Sequence, residues 1–231
     1  APIDVAQEGT ALERFSVSVT NPPNSAGVFA TQTLFFPSES SCLAGGVLLF
    51  NESQRVPASL LTGREAHLLQ VQSPGVDAQG RVNSTAAFVL FRQFKSATVR
   101  LPSILPPASP IRDPLRAYLG ARIEMPAPAD LRGMVRLELE EVSGADRVVD
   151  IIVSLARKSP GETIQLSVPD LSLVHGWENL WGIPTSSSVN WWLSAADGLR
   201  IGPSQRGRHF VDQPPQIYCK NAKWSIVSGR M

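Results

Sequence analysis

Apolar and polar positions alternate most regularly between Met134 and Val168, and this alternation predicts β-strands. A two-residue period places successive side chains on opposite faces of a strand. Turn residues, Ser143-Gly144-Ala145-Asp146 and Lys158-Ser159-Pro160-Gly161, divide the stretch into three runs. The pattern therefore predicts a three-stranded antiparallel meander with one solvated face. Its predicted buried residues are Val135, Leu137, Leu139, Val149, Ile151, Val153, Ile164 and Leu166.

Shorter alternating or apolar runs predict further strands along the chain. The best helix candidate is Pro57–Gln70, where leucines could form a stripe that Gly63 weakens. Residues 73–84 are rich in turn formers and predict a polar loop, and a break is expected near Lys95-Ser96. Strands are predicted at residues 15–20, 28–36, 43–50, 86–101, 118–125, 188–194 and 216–227. The fold class that follows is all-β, an antiparallel two-sheet sandwich with one or two short helices, and jelly roll is the favoured topology.

The length of 231 residues suits one such sandwich, so we expect a single domain over residues 1–231. Residues 1–12 predict an extended N-terminal arm, and residues 169–231 an irregular tail rich in tryptophan. Five prolines within residues 102–114 forbid a helix there and most sheet pairing. We interpret this stretch as an ordered surface crossing, with a boundary between two domains as the alternative.

Composition excludes some broad classes of function. The net charge is +1 and the basic residues are scattered, so no strong attraction to nucleic acid or to a membrane surface is expected. No apolar run reaches the roughly 20 residues that a membrane-spanning helix needs. Cys42 and Cys219 are far apart and predict free buried thiols, with one long-range disulfide as the alternative. Asn51 and Asn83 begin glycosylation sequons that matter only in a secretory compartment.

The sequence contains no recognisable catalytic constellation. His67, His175 and His209 lie far from one another and from both cysteines, so a metal site would have to be assembled entirely by the fold. No Gly-x-Ser-x-Gly elbow accompanies a candidate serine nucleophile. The carboxylates at 138, 140 and 141 fall near the polar positions of a strand and are interpreted as a solvated face. We therefore predict a protein that is not an enzyme, without catalytic residues, metal or cofactor.

Tryptophan is the residue type with the clearest functional potential. Tryptophan is enriched at protein interfaces, and its ring can also stack on sugars or bases. We expect these side chains to form a subunit interface, with a stacking platform for ligands as the alternative; they are Trp177, Trp181, Trp191, Trp192 and Trp224. Arg200, Arg206 and Arg208 form a small basic patch near His209 that predicts at most a weak, nonspecific contact with nucleic acid.

In length, strand rhythm, proline-rich connections and a start at Ala1 without Met, the chain resembles the coat proteins of picorna-like viruses, including the plant secovirus group. The resemblance is architectural and carries over no functional residue. It implies a structural capsid protein of a non-enveloped icosahedral RNA virus, cleaved from a polyprotein. The implied partners are other capsid subunits and, nonspecifically, genomic RNA; the implied locations are the virion and, during assembly, the host cytoplasm. The alternative is a secreted β-sandwich module that binds carbohydrate or protein, and a hydrolase ranks third.

Overall fold

The computed structural model of the protein describes residues 13–14, 17–22, 27–35, 49–50, 54–55, 66–91, 97–106, 108–142, 147–198 and 222–231. In these residues the regular structure is β, except for one 3-10 turn at Asn179–Trp181. The strands are β1 Glu13–Arg14, β2 Val17–Thr20, β3 Phe29–Phe35, β4 Leu49–Phe50, β5 Gln54–Arg55, β6 Ala66–Val76, β7 Val82–Phe91, β8 Ala97–Arg100, β9 Ile111–Asp113, β10 Gly120–Pro126, β11 Met134–Glu141, β12 Val148–Ser154, β13 Thr163–Ser167, β14 Val189–Asp197 and β15 Ala222–Arg230. The predicted all-β class is confirmed.

The largest sheet described has eight strands in the order β12-β11-β14-β15-β7-β6-β3-β4. Every neighbouring pair in it is antiparallel. A three-stranded sheet has the order β13-β10-β9 and is also antiparallel. Strands β2 and β8 form a parallel pair, and β1 and β5 an antiparallel one. Antiparallel pairing therefore dominates, as the alternating pattern predicts.

One face of the eight-stranded sheet, here called the inner face, carries the main core. Ile123 of β10 and Leu166 of β13 pack in one cluster with Leu137 of β11 and Leu193 of β14. Each of these side chains is at most 2% exposed. The three-stranded sheet thus lies over the β11–β14 end of the large sheet, and the two layers bury their apolar faces against each other.

The inner face continues toward β6, where a second small sheet covers it. The register pairs Leu193 with Val227, and Val71 with Ala87, so these side chains share the inner face. Val71 and Ala87 pack with Val99 of β8, and Val19 of β2 contacts the same cluster. The three-stranded sheet and the β2–β8 pair therefore cover the same side of the large sheet.

The opposite, outer face also buries apolar side chains around β15. Phe88, Trp224 and Ile226 are at most 3% exposed and pack in one cluster, which half-buried Trp192 also joins. In the register, Trp224 lies beside Ala86 and Ala196 on neighbouring strands. The central strands of the large sheet are consequently buried on both faces, although their sequences alternate only in part.

The predicted meander is wrong in its third strand. Strands β11 and β12 form the expected hairpin, from Met134 opposite Ser154 to Glu140 opposite Val148. Strand β13 instead pairs with β10 in the other sheet, with Leu166 opposite Ile123. Alternation specifies which side chains of β13 are buried, and Ile164 and Leu166 are buried as predicted. Alternation does not specify the neighbouring strand, because a strand can turn its apolar face inward from either layer of a sandwich.

Two predictions near β6 are also wrong. Residues 66–70, assigned to the end of a helix, belong to strand β6, while residues 57–65 lie outside the described part. The predicted polar loop at 73–84 is mostly strand, since β6 runs to Val76 and β7 begins at Val82. Between them Asp77 makes the turn, accepting hydrogen bonds from the backbone N–H groups of Gln79 and Arg81, each at 2.9 Å. Long-range pairing with β3 and β7 overrides the weak helical preference.

Burial on β11 and β12 departs from prediction in a second way. Glu138 and Glu141, assigned to a solvated face, are only 5% and 7% exposed, and Glu140 is half-buried. Val149, Ile151 and Val153 of β12, predicted to be buried, are half-buried and pack at the margin of the core. Strand β11 is an inner strand with a neighbour on each side, whereas β12 is the last strand of the sheet. The polar residues of β11 are therefore more buried, and the apolar residues of β12 less buried, than predicted, because β11 lies inside the sheet and β12 at its described edge.

The predicted irregular tail contributes two central strands. Strands β14 and β15 are each nine residues long and pair with each other in the middle of the eight-stranded sheet. The strands predicted at 188–194 and 216–227 are present as β14 and, from residue 222 onward, as β15, while residues 199–221 of the tail lie outside the described part. Between β8 and β9, Leu105 of the proline-rich crossing is buried, and its N–H donates to the Ser225 hydroxyl of β15 at 3.2 Å. This bond fixes the crossing to the inner face.

Candidate interaction surface in the loop between strands β13 and β14

The loop at residues 168–188 exposes a group of large apolar side chains. Leu173 is 94% exposed and Leu180 is 76% exposed. Val174 and Trp181 are 52% and 58% exposed. Leu115, in the turn after β9, is a further exposed leucine at 93%. Large exposed apolar patches on folded proteins mark binding surfaces, and this group of exposed side chains, here called the apolar loop surface, is the candidate site.

The buried side chain of Tyr118 holds the start of this loop. Its ring is buried, and its hydroxyl donates to the Pro169 carbonyl at 2.9 Å. The same hydroxyl accepts a hydrogen bond from the Leu171 N–H. Gly182 at the far side of the loop packs so closely on Tyr118 that a Cβ there would lie 2.7 Å from the tyrosine Cβ. Only glycine fits that approach, so the tyrosine joins both ends of the loop.

Two arginines hold the loop ends to the three-stranded sheet. Arg116 donates to the Val168 carbonyl at 2.7 Å. Arg112 reaches the Thr185 and Ser187 carbonyls at 2.6 and 2.8 Å with its two terminal nitrogens. Such fork-like donation suits the planar guanidinium group. The loop is therefore anchored to the sheet on either side of its exposed side chains.

The aromatic rings of the loop form a short stack on Tyr118. Trp177 lies over the tyrosine with ring centroids 5.4 Å apart, and Trp181 meets Trp177 edge-on at 5.8 Å and 84°. Both separations are typical of favourable aromatic pairs. Along this stack Tyr118 is buried, Trp177 is half-buried and Trp181 is exposed. Trp181 is thus positioned by packing while more than half of its surface remains available.

Asp170 stabilises the turn that presents Leu173. Its carboxylate accepts hydrogen bonds from the Ser172 hydroxyl at 2.7 Å and the Ser172 N–H at 3.0 Å. These two bonds hold the pKa of Asp170 below its usual range, with a smaller contribution from the nearby Arg116 charge. The carboxylate therefore stays ionised at neutral pH, and the turn keeps its shape.

The structure separates the five tryptophans of the sequence prediction. Trp191 and Trp224 are 1% and 3% exposed within the chain itself, and Trp192 is half-buried on the outer face. Of the five, Trp181 belongs to the apolar loop surface, and half-buried Trp177 packs against it within the same loop. The sequence signal that separates them is alternation: Trp191 and Trp224 lie in strands, whereas Trp177 and Trp181 lie among turn residues.

Several other predicted residues lie elsewhere. Asn83 is buried in β7 at 6% exposure, a position that leaves no room for a glycan in the folded chain. His175 is exposed in the apolar loop, and His67 lies in β6. The predicted residues outside the described part are Cys42, Cys219, Asn51, His209, Arg200, Arg206 and Arg208. No helix among the described residues is long and apolar enough to cross a membrane.

Sequence reasoning missed a charged network on the outer face of β11. Arg136 is 5% exposed and lies 2.9 Å from Glu138 and 2.6 Å from Asp150 of β12. At the end of the same strand, Glu141 binds Arg147 at 3.0 Å and accepts a hydrogen bond from the Ser187 hydroxyl at 2.7 Å. Opposite charges on neighbouring strands, Arg136 and Asp150, were the signal that could have predicted the network.

The fold and this surface define a mostly β protein with antiparallel sheets and an exposed apolar loop. The chain matches no protein-family model, no curated protein and no solved structure.

Proposed function

We propose that the protein is a structural subunit of an assembly, and specifically a coat protein of a non-enveloped icosahedral RNA virus. The observation that carries the proposal is the apolar loop surface: large apolar side chains that are more than half exposed on a loop held at both ends. An all-β framework with two layers supports a jelly roll as its topology. On this proposal the partners are other capsid subunits, and the protein acts in the virion after assembly in the host cytoplasm.

Exposed apolar area supplies the driving force for such an assembly. Burying one fully exposed leucine side chain contributes roughly 1.5–3 kcal/mol, and Leu173 and Leu180 are both at least 76% exposed. Trp181 adds an aromatic ring of the type that most often dominates binding energy at interfaces. A subunit contact centred on these side chains would therefore bury surface that is unfavourable in water.

The anchoring of the loop lowers the cost of association. Ordering a flexible side chain or loop on binding opposes association by about 0.5–1.5 kcal/mol for each immobilised side chain. Here Tyr118 and Arg112 already hold the loop to the sheet in the separate chain. The surface is preorganised, as is expected for subunits that dock repeatedly in one geometry.

The test is assembly of the purified chain with the double substitution Leu180→Ser and Trp181→Ser. We expect the unaltered chain to form larger species whose amount rises with concentration, and the double variant to lose these larger species. Sedimentation velocity gives the sizes, and negative-stain imaging shows whether the larger species are closed shells. A matched control is Val76→Ser, since Val76 is 67% exposed but belongs to the β6–β7 hairpin and not to the loop.

Two outcomes would contradict the proposal. One is an unaltered chain that stays single at every concentration, and the other is a double variant that assembles as well as the Val76→Ser control. Exposure of Trp181 also supports a second function, stacking on a sugar ring or a base. Saturable quenching of tryptophan fluorescence by an oligosaccharide, lost in Trp181→Ser, would support that function instead.

A further inference from the structure

Strand β12 is the last strand at one end of the eight-stranded sheet, and its outer edge has no strand beside it in the described residues. Such an edge is a ready template for another strand. Protection of an edge usually comes from Lys, Pro, a bulge or a very short strand. Strand β12 is seven residues long, and its sequence Val-Val-Asp-Ile-Ile-Val-Ser contains neither Lys nor Pro. Among the described residues and by its own sequence, this edge is therefore unprotected against pairing.

Two hydrogen bonds at the ends of the hairpin show which backbone groups point to the open side. The Glu141 N–H donates to the Arg147 carbonyl, and the Leu155 N–H donates to the Gly133 carbonyl, both at 3.0 Å. In an antiparallel pair, bonding to the neighbour recurs every second residue. Positions 147, 149, 151, 153 and 155 therefore face β11, and Val148, Asp150, Ile152 and Ser154 direct their N–H and C=O groups outward.

The side chains at these outward positions are also incompletely covered. Val148 is 41% exposed and Ile152 is 50% exposed. Asp150 is the only charged residue of the strand, and Arg136 of β11 already lies 2.6 Å from it. An incoming strand would thus meet apolar side chains and one carboxylate whose charge is offset within the chain.

We propose that β12 pairs with β12 of a second copy of the chain, antiparallel and about a two-fold axis at Ile151. Few registers are possible, because the residues with outward N–H and C=O groups must pair with such residues of the second copy. An axis at Asp150 places two carboxylates directly opposite each other, which is destabilising. An axis at Ile152 leaves Val148 without a paired residue. An axis at Ile151 pairs all seven residues, with Val148 opposite Ser154 and Asp150 opposite Ile152 of the second copy.

The register centred on Ile151 is self-complementary in side chains as well. On the inner face, Ile151 lies opposite Ile151 of the second copy, and Val149 lies opposite Val153 of the second copy. On the outer face, the two Ile152 side chains lie diagonally across the axis, within reach of each other. The pairing joins two eight-stranded sheets edge to edge and makes the same contacts in both directions, as a two-fold interface must. A second copy is therefore the partner that this edge fits.

A seven-residue edge is a small interface beside the roughly 1,200–2,000 Å² of stable complexes. We accordingly expect a weak dimer whose amount depends on concentration, strengthened when other surfaces also make contact. The pairing extends the proposed assembly role but uses a surface separate from the apolar loop. Its test can therefore succeed or fail independently of the test of that role.

The test places one cysteine on the proposed axis. In the background Cys42→Ser, Cys219→Ser, the substitution Ile151→Cys puts two thiols opposite each other at a non-hydrogen-bonded pair. Cα atoms there are about 4.5 Å apart, within the range of a disulfide. We expect diamide oxidation of the full chain to give a covalent dimer on a non-reducing gel. The matched control Val149→Cys faces Val153 of the second copy and should remain uncross-linked, whereas Val149→Cys with Val153→Cys should cross-link.

Proline at position 152 tests the backbone pairing without breaking the hairpin. The Ile152 N–H points outward, so Ile152→Pro removes an edge donor and leaves the bonds to β11 in place. Added to Ile151→Cys, it should lower the cross-linked fraction about tenfold. Should proline disturb the fold, Ile152→Asp sets two carboxylates opposite each other and should have the same effect, with circular dichroism confirming the fold.

Equal cross-linking of Ile151→Cys and Val149→Cys, or none in Ile151→Cys, would overturn the proposed pairing. So would an Ile151→Cys dimer that persists undiminished with Ile152→Asp. The loop variant Leu180→Ser, Trp181→Ser separates the two proposals. In that variant the larger assemblies should be lost while the Ile151→Cys dimer still forms. If the chain with an unaltered loop forms the Ile151→Cys dimer but no larger assembly, the edge pairing stands and the coat-protein role falls; larger assemblies without the dimer remove only the edge pairing.

Discussion

Strands β11 and β12 have nearly the same alternating pattern and form one hairpin, yet their surroundings differ. On β11 the apolar residues Val135, Leu137 and Leu139 are fully buried, and the polar residues between them are also largely buried. On β12 the positions opposite them are half-buried, and the residues in between are exposed. The difference arises from position, because β11 has β14 on its other side, whereas no further described strand pairs with β12.

The comparison shows what alternation reports. An alternating run predicts which face of a strand turns to the core, since the period of two is fixed by backbone geometry. Whether the polar side chains between them are buried or exposed depends on how many strands and side chains surround the strand. Arg136 and Glu138 lie in the interior of the sheet, where their ion pair at 2.9 Å offsets part of the cost of burying their charges.

The sharpest way to test this comparison is to place a carboxylate on each strand. Val135 and Val153 are direct partners in the hairpin, 0% exposed and half-buried respectively. We expect Val135→Asp to lower the free energy of unfolding by more than about 4 kcal/mol, because the carboxylate has no access to water. Val153→Asp should cost less than half as much, since its side chain can turn to solvent.

Urea denaturation followed by circular dichroism measures both variants. Val135→Asn and Val153→Asn are controls of nearly equal shape without the charge. Equal losses for the two aspartates would mean that the edge position is closed in solution, contrary to its exposure here.

Removal of Arg136 tests the buried charges of β11. The substitution Arg136→Met removes the guanidinium that lies 2.9 Å from the Glu138 carboxylate, whose side chain is 7% exposed. A loss of about 3 kcal/mol is expected, because breaking a buried ion pair from one side leaves an uncompensated charge. Asp150→Asn on β12 should cost about 1 kcal/mol or less, since that carboxylate is 36% exposed.

The double substitution Arg136→Met, Glu138→Leu is the informative control. Replacing both partners by apolar residues is often nearly neutral, so the double variant should be more stable than Arg136→Met alone. A double variant less stable than the single one would show that Glu138 depends on other neighbours.

Truncating paired side chains compares the packing of the two strands. Leu137 and Ile151 face each other across the hairpin. Leu137→Ala should cost about 3 kcal/mol, since the side chain is completely buried and leaves a cavity. Ile151→Ala should cost roughly half of that in dilute protein, because its site already opens to water. Guanidinium unfolding at two protein concentrations gives both values, and an Ile151→Ala cost as large as that of Leu137→Ala at the lower concentration would contradict the assignment of β12 as an open edge.

The sequence was sufficient for local features of the fold. Alternation predicted the β class, the β11–β12 hairpin and the buried residues Ile164 and Leu166, because these follow from backbone periodicity. It could not assign β13 to β10, since the choice of partner is made by contacts distant in sequence. Residues 66–70 were predicted as helix because leucines at that spacing fit either period, and pairing with β3 and β7 decided the outcome.

The candidate site was predictable only in part. The excess of tryptophan indicated an interaction surface, but burial of Trp191 and exposure of Trp181 depend on which of them lies in a central strand. The leucines at 173 and 180 carried no sequence signal, because an apolar residue in a loop is as often buried as exposed. Anchoring by Arg112 and Tyr118 joins residues more than 50 positions apart and could not be read locally.

The smallest expected effect lies in the turn that leads from β12 to the other sheet. The Glu162 carboxylate accepts hydrogen bonds from Lys158 at 2.5 Å and from the Ser159 N–H at 3.0 Å. These bonds hold the pKa of Glu162 below its ordinary value of 4.5, and the bond from Lys158 contributes most. Because the pKa is lowered in the folded state, the stabilisation is complete above pH 4.5 and is lost as the pH falls through the folded value. Carbon NMR of the Glu162 carboxyl should therefore give a titration midpoint lower in the folded chain than in the same chain in urea, and Lys158→Met should raise the folded midpoint. A folded midpoint at or above the unfolded one would show that this exposed pair does not persist in solution and does not fix the point where the chain leaves the edge strand.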